Sequence, residues 1–205
     1  MLENTPWSSP IFIFLAFGLY SVVHSLLAAL KTKDLAAALF GENATDRYYR
    51  LFFNIFGVIS LLPVFAMVAL LPDQALYNIG TPWNLLMLAI QGLGGLFAVA
   101  AVLHTGPFAF LGLSQPIVGK ENREAKLNTG GIYAWVRHPI YTGGMVFLWF
   151  SPVMTFNIFA FNLGITLYFI IGAWFEERKL LHFFGQEYED YMQKTPMIIP
   201  WVGWK

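Results

Sequence analysis

From Gly130 to Gly144 the chain reads GGIYAWVRHPIYTGG, which sets a cation, Arg137, beside an imidazole, His138, a proline, Pro139, and two tyrosines, Tyr133 and Tyr141. Proline fixes its own φ and pushes the preceding residue out of the helical region. His138-Pro139 therefore reads as an N-cap and first helical position, with Ile140 opening an apolar helix. The first turn of such a helix presents N–H groups that lack intrahelical acceptors, and with Arg137 alongside they suit an anionic group such as a carboxylate. The flanking glycines let another group come close to backbone. The same spacing also suits a plain helix start with a snorkelling arginine and a capping histidine. A second constellation has to decide between the two.

That constellation is Trp174-Phe-Glu176-Glu177-Arg-Lys-Leu180, followed by Phe184-Gly185-Gln-Glu-Tyr188-Glu-Asp-Tyr191 and Pro196-Met-Ile-Ile-Pro200. A helix starting near Ile158 rises about 1.5 Å per residue, which carries Glu176 and Glu177 to the same membrane boundary as Arg137 and His138, where hydration is expected. Adjacent helical residues point about 100° apart, so at most one of the two glutamates faces the bundle squarely. Asn162, Thr166, Ala173 and one glutamate fall along one stripe. Carboxylates at a helix C-terminus oppose the local dipole and call for compensation, from Arg178 and Lys179 or from a cationic ligand. Together the two motifs present partners for a carboxylate, for an ammonium or ribose hydroxyls, and for a planar ring or a sulfonium. S-adenosylmethionine carries all of these groups, and it is cytoplasmic.

The elements that must position these residues are membrane helices. Of the 205 residues, 57% are hydrophobic and 12% charged, with 20 Phe and 7 Trp, whereas a soluble domain carries about 25% charged residues. Cysteine is absent, which excludes disulfides, thiolate ligands, iron–sulfur clusters and cysteine nucleophiles. No nucleic-acid patch and no metal-ligand spacing is evident.

The spacing predicts an all-α polytopic bundle of about five spans in a single integral membrane domain, residues 1–205. The spans lie at about 10–30, 51–71, 83–104, 140–151 and 158–181, since a bilayer core of about 30 Å needs roughly 20 apolar residues. The first apolar run lacks a basic flank and reads as a retained span. Lys31 to Arg50 reads as a hydrophilic connection, residues 105–139 as a long loop containing the charged run Lys120 to Lys126, and 182–205 as a tail. The fourth span is at the low end of length, which fits a tilted helix, one extended past Ser151 or one that does not fully span, and Ser151-Pro152 and Asn157 separate it from the fifth as a hairpin. Gln91, Gly95 and Ala98 lie on one side of the third span, a pattern for close helix packing. His24, Asn54, Gln91 and Asn162 stand well inside spans, as interhelical glue or as the wall of a site for an apolar molecule.

Tyr133-x-x-x-Arg137-His138-Pro139-x-Tyr141-x-Gly143, Glu176-Glu177-x-x-Leu180 and Phe184-Gly185-x-x-Tyr188-x-x-Tyr191 resemble the integral-membrane methyltransferases that include isoprenylcysteine carboxyl methyltransferase and the phospholipid N-methyltransferases. In the N-terminal half, His24-Ser25 and the region from Arg47-x-Tyr49 to Asn54 look like the bacterial branch with NnrU-type proteins and methanethiol S-methyltransferases. The resemblance implies an S-adenosylmethionine site contacted by Tyr133, Arg137, His138, Pro139, Tyr141, Glu176 and Glu177, with Arg137 also able to orient an acceptor. It implies a small or lipophilic methyl acceptor, a thiol, carboxylate or amine, reached from membrane lipid at the cytoplasmic face of a bacterial inner membrane. Alignment of donor and acceptor in a dry site supplies most of such catalysis, so the lack of a catalytic triad is no objection. Two alternatives stand beside it. Membrane sterol reductases carry a similar Arg-His-Pro-x-Tyr stretch and would bind a nicotinamide cofactor; a non-catalytic accessory protein would keep the fold without the chemistry.

All 12 Lys and Arg residues fall in the first connection (Lys31, Lys33, Arg47, Arg50), the long loop (Lys120, Arg123, Lys126, Arg137) and the tail with the end of the span before it (Arg178, Lys179, Lys194, Lys205). The positive-inside rule then places those three segments in the cytoplasm and the N-terminus outside, and it requires an even number of crossings between the long loop and the tail. Reporter fusions at Lys205 and within the Pro72–Pro82 loop are expected to mark opposite sides of the membrane. Fusions on the same side would refute the division of 140–181 into two crossings or one earlier span.

Overall fold

The computed structural model describes residues 8–118 and 127–200. The charged run from Lys120 to Lys126 lies outside them. The chain is mostly helical: α1 (Ser8–Ala28), α2 (Leu30–Phe40), α3 (Glu42–Leu70), α4 (Trp83–Thr105), α5 (Pro107–Phe110), α6 (Gln115–Val118), a 3₁₀ turn (Gly131–Ala134), α7 (Pro139–Trp149), α8 (Phe156–Phe184) and α9 (Gln186–Lys194). A two-stranded sheet pairs β1 (Ala75–Asn78) with β2 (Val153–Thr155). Four helices, α1, α3, α4 and α8, are long and apolar enough to cross a membrane, and their exposed faces are rich in leucine, as at Leu19 and Leu96. In lipid that exposure carries no cost, and every backbone group of a helix is satisfied internally.

The structure narrows one expectation from the sequence and revises another. The expected fourth span is α7, whose 11 residues extend about 16 Å at about 1.5 Å per residue, near half of a bilayer core of about 30 Å. The hydrophilic connection Lys31 to Arg50 is mostly helix, divided at Gly41, where φ is +86°, a left-handed conformation that suits glycine. The alanine-rich run before it favours helix, and Glu42 in the first turn of α3 complements that helix's dipole.

The chain folds as two compact units. The first draws on the described residues within 1–75, 106–124 and 155–164. Phe17 of α1 meets Phe161 of α8 edge-on at 5.4 Å, and Gly164 makes room for it, since a Cβ there would sit 2.7 Å from Phe17 Cδ1. Three residues on one side of α3 hold the α5–α6 segment by its carbonyls. Arg47 Nη1 donates to Pro116 O (3.2 Å), Arg50 Nη1 to Ala109 O (2.9 Å) and Asn54 Nδ2 to Phe110 O (3.2 Å). At the other end of α3, Asn157 fixes the start of α8: its backbone N–H donates to Asp73 Oδ1 (3.1 Å) and its amide to Leu71 O (3.3 Å).

The second unit draws on the described residues within 76–105, 125–154 and 165–205. Its tightest packing joins α4 to α7, glycine against glycine. A Cβ on Gly143 would lie 2.6 Å from Gly94 O and 2.7 Å from Ala98 N, and one on Gly94 would lie 2.7 Å from Val146 Cγ1. Gln91 Nε2 donates to Phe147 O at 2.8 Å along the same seam. The Gln91–Gly95–Ala98 side of α4 is thus a helix-packing surface, as its small residues predicted. Trp149 Nε1 donates to Thr166 Oγ1 at 2.9 Å, tying the end of α7 to α8.

Gly143→Ala is expected to lower stability in detergent by about 1–3 kcal/mol, because backbone on the facing helix cannot yield to the added methyl. Gly92→Ala, where nothing lies within 4 Å of the new Cβ, should be neutral or slightly stabilising. Denaturant titration of both variants checks this, and equal stabilities would remove the glycine seam as a constraint.

Candidate functional site

The start of α7 and the end of α8 meet at Arg137. Its side chain is buried, and its Nε donates to Glu177 Oε1 at 2.6 Å. Its Nη1 donates to Met192 O at 3.1 Å and also to Thr195 O. Backbone continues the same connection: Arg137 N donates to Pro196 O (2.9 Å), His138 N to Met197 O (3.0 Å), and Thr142 Oγ1 to Ile198 O (2.6 Å). The segment after α9 therefore lies along the first turn of α7.

His138 occupies the N-cap position, but its side chain makes no cap bond. Its ring bridges the two glutamates instead, with Nε2 3.2 Å from Glu177 Oε1 and Nδ1 3.6 Å from Glu176 Oε2. Tyr141 donates its hydroxyl to Glu176 Oε2 at 3.2 Å. The rings of His138, Tyr141 and Phe169 form a continuous stack, at 5.4 and then 4.7 Å between centroids. Glu177 is buried while the Glu176 side chain is half exposed, as their 100° separation on α8 requires.

Tyr133, on the 3₁₀ turn, joins this group from the side. Its carbonyl accepts the Tyr191 hydroxyl at 2.5 Å, and its ring stacks on His104, the histidine in the last turn of α4, at 6.0 Å. Burial, and then the negative charge of Glu176, push the Tyr133 hydroxyl up to about 12. Burial likewise raises Tyr188 and Tyr191. All three phenols keep their protons at neutral pH.

Hydration of Arg137 and Glu177 at a membrane boundary is overturned. The two are 5% and 7% exposed, and the guanidinium is turned to protein partners. Arg137, His138, Tyr141, Glu176 and Glu177 are joined directly, Pro139 is buried with them, and Tyr133 adjoins. Of the residues considered for an acceptor wall, Gln91 belongs to this unit. His24, Asn54 and Asn162 belong to the other, where Asn54 holds Phe110 O, the His24 ring packs between Tyr20 and Phe53, and Asn162 is 2% exposed. The sequence reading missed Thr142, His104 and the carbonyls of Met192 and Thr195 to Ile198. A signal existed in Pro196 and Pro200, which mark a non-helical run with carbonyls left to offer.

The phospholipid methyltransferase family profile matches residues 85–187, which includes both motifs. The chain belongs to this family of membrane methyltransferases, which use S-adenosylmethionine as methyl donor. It is 31% identical over 191 residues to methanethiol S-methyltransferase 1 of Bradyrhizobium diazoefficiens, covering 91% of this chain and 65% of that protein. It is 27% identical over 199 residues to methanethiol S-methyltransferase of Crocosphaera subtropica, covering 92% and 73%. Protein-S-isoprenylcysteine O-methyltransferase of Schizosaccharomyces pombe is 35% identical over 92 residues, or 43% of this chain and 39% of that one. The chain thus spans less than two thirds of the length of the Bradyrhizobium relative. No solved structure matches.

Removing one partner of a buried pair leaves an uncompensated charge, at a cost of about 3–5 kcal/mol. Arg137→Ala is expected to lose about that much and to expose the Thr195–Ile198 segment to protease. Arg137→Met/Glu177→Leu should lose much less. Denaturation and limited proteolysis in detergent measure both, and an Arg137→Ala protein of native stability would show that the pair does not hold the segment.

Proposed function

We propose that this chain is an S-adenosylmethionine-dependent membrane methyltransferase that methylates the sulfur of a small thiol of the methanethiol kind. One observation carries the choice of acceptor: similarity to methanethiol S-methyltransferases runs through 91% of the chain, whereas similarity to the fission-yeast isoprenylcysteine enzyme stops at 43%. Family membership also weighs against nicotinamide reduction.

The residues fit the donor. Glu176 is half exposed and oriented by Tyr141 and His138, so it can take an ammonium or ribose hydroxyls. The His138–Tyr141–Phe169 stack and Tyr133 offer faces to a ring or a sulfonium. The first-turn N–H groups after Pro139 suit a carboxylate. When bound, the donor supplies an electrophilic methyl group. The buried Arg137–Glu177 pair acts beneath as the support that fixes His138, and the guanidinium positions more than it binds. Asn54, Gln91 and His24 serve the packing of their helices. Both motifs lie on the cytoplasmic side in this reading, with the N-terminus outside and the chain acting as one integral membrane domain.

Calorimetric titration with S-adenosylmethionine, and a headspace assay for dimethyl sulfide formed from methanethiol, test the reading. Glu176→Gln should weaken donor binding about ten- to a hundredfold, the loss of roughly 1.5–3 kcal/mol for a charge-assisted contact, and leave the fold intact because that side chain is half exposed. Binding of a nicotinamide cofactor in place of the methyl donor would refute it.

A further inference from the structure

A thiol acceptor raises a requirement that the groups above leave unmet. The thiolate is the nucleophile, and an alkyl thiol with a pKa of about 8.5 or higher is mostly protonated at neutral pH. A proton acceptor must therefore stand near the sulfur. Glu177 is held by Arg137, and Glu176 by Tyr141. Both ring nitrogens of His138 face carboxylates. Tyr133, Tyr188 and Tyr191 hold their own protons.

One imidazole remains beside this group. His104 is exposed in the last turn of α4, and neither of its ring nitrogens is hydrogen-bonded among the described residues. Its ring is nevertheless placed closely. It stacks on Tyr133 at 28°, and it fits against Gly131, where a Cβ would lie 3.0 Å from His104 Cε1 and 3.3 Å from Nε2. Gly131 has φ of +59°, so the turn both suits glycine and keeps the ring's neighbour bare. Tyr133 in turn lies within the field of Glu176. His104 is thus an accessible base, placed by Tyr133 and Gly131, one ring away from the carboxylate assigned to the donor.

We propose that His104 is the general base that takes the acceptor's proton, an inference that rests on the small-thiol reading. The thiol S–H proton passes to a ring nitrogen of His104, and the resulting thiolate attacks the sulfonium methyl of the donor. The new C–S bond forms as the old one breaks, its electron pair returns to the leaving sulfide, and the imidazolium then gives its proton to water. Nothing is oxidised or reduced.

Two variants separate a base from a packing ring: His104→Gln, and His104→Phe, which keeps an aromatic face. Both are expected to bind S-adenosylmethionine with native affinity. Turnover of methanethiol should fall on the order of a hundred- to ten-thousandfold, and turnover of an aromatic thiol already ionised at neutral pH should fall far less. Independently of turnover, protein loaded with S-adenosylhomocysteine should show the thiolate ultraviolet absorbance of bound methanethiol in the native form and lose it in both variants. Native turnover by His104→Phe, an equal fall for both thiols, or lost donor affinity in both variants would overturn the assignment of His104 alone. A native protein that neither binds the donor nor forms dimethyl sulfide would overturn the thiol reading and this inference together.

Discussion

The Arg137–Glu177 ion pair is withdrawn from solvent, and the second unit is arranged to make that tolerable. Taking a guanidinium and a carboxylate out of water costs several kcal/mol per ion, which mutual attraction offsets only if the remaining donors and acceptors also find partners. Here they do. Two backbone carbonyls take Arg137 Nη1, and His138 shares the Glu177 oxygen. The pair therefore specifies where three separate stretches lie: the Arg-His-Pro turn, the end of α8 and the segment after α9.

That arrangement explains a division of labour between two adjacent glutamates. Glu177 is internal and supports, while Glu176 is half exposed and available. One helical step separates a buried charge from a half-exposed one. His138 touches both and transmits the fixed position of the first to the second. On the far side of α7 the glycine seam with α4 lets backbone approach backbone, so this short helix is held along its length even though it is half the thickness of a bilayer. In lipid, where apolar burial gives little driving force between helices, such close contact and amide bonds like Gln91 to Phe147 O are what bind helices together.

The stripe Arg47, Arg50 and Asn54 shows the same economy in the first unit. Each spans α3 to a different carbonyl of the α5–α6 segment. Basic residues that a charge count assigns only to the cytoplasmic side are here also the means of fixing a loop, and an asparagine inside a span is an anchor at the end of the same row.

Local signals in the sequence were strong enough to determine several features directly. Long apolar runs mark α1, α3, α4 and α8, because crossing hydrocarbon demands length and composition that little else requires. Pro139 sets the start of α7, since proline's ring fixes the turn whatever surrounds it. The Gln91–Gly95–Ala98 face and the inward turn of only one glutamate followed from helical periodicity. Tertiary structure decided the rest. Whether Arg137 stands in water or in the interior depends on residues 192–198, far along the chain, whose carbonyls give no sequence signature beyond flanking prolines. His104 looked like the end of a span because its neighbours in sequence are apolar; only the fold brings Gly131 and Tyr133 to its ring. Periodicity reports which way a residue points from its own helix, and it carries no information about which distant backbone will meet it there.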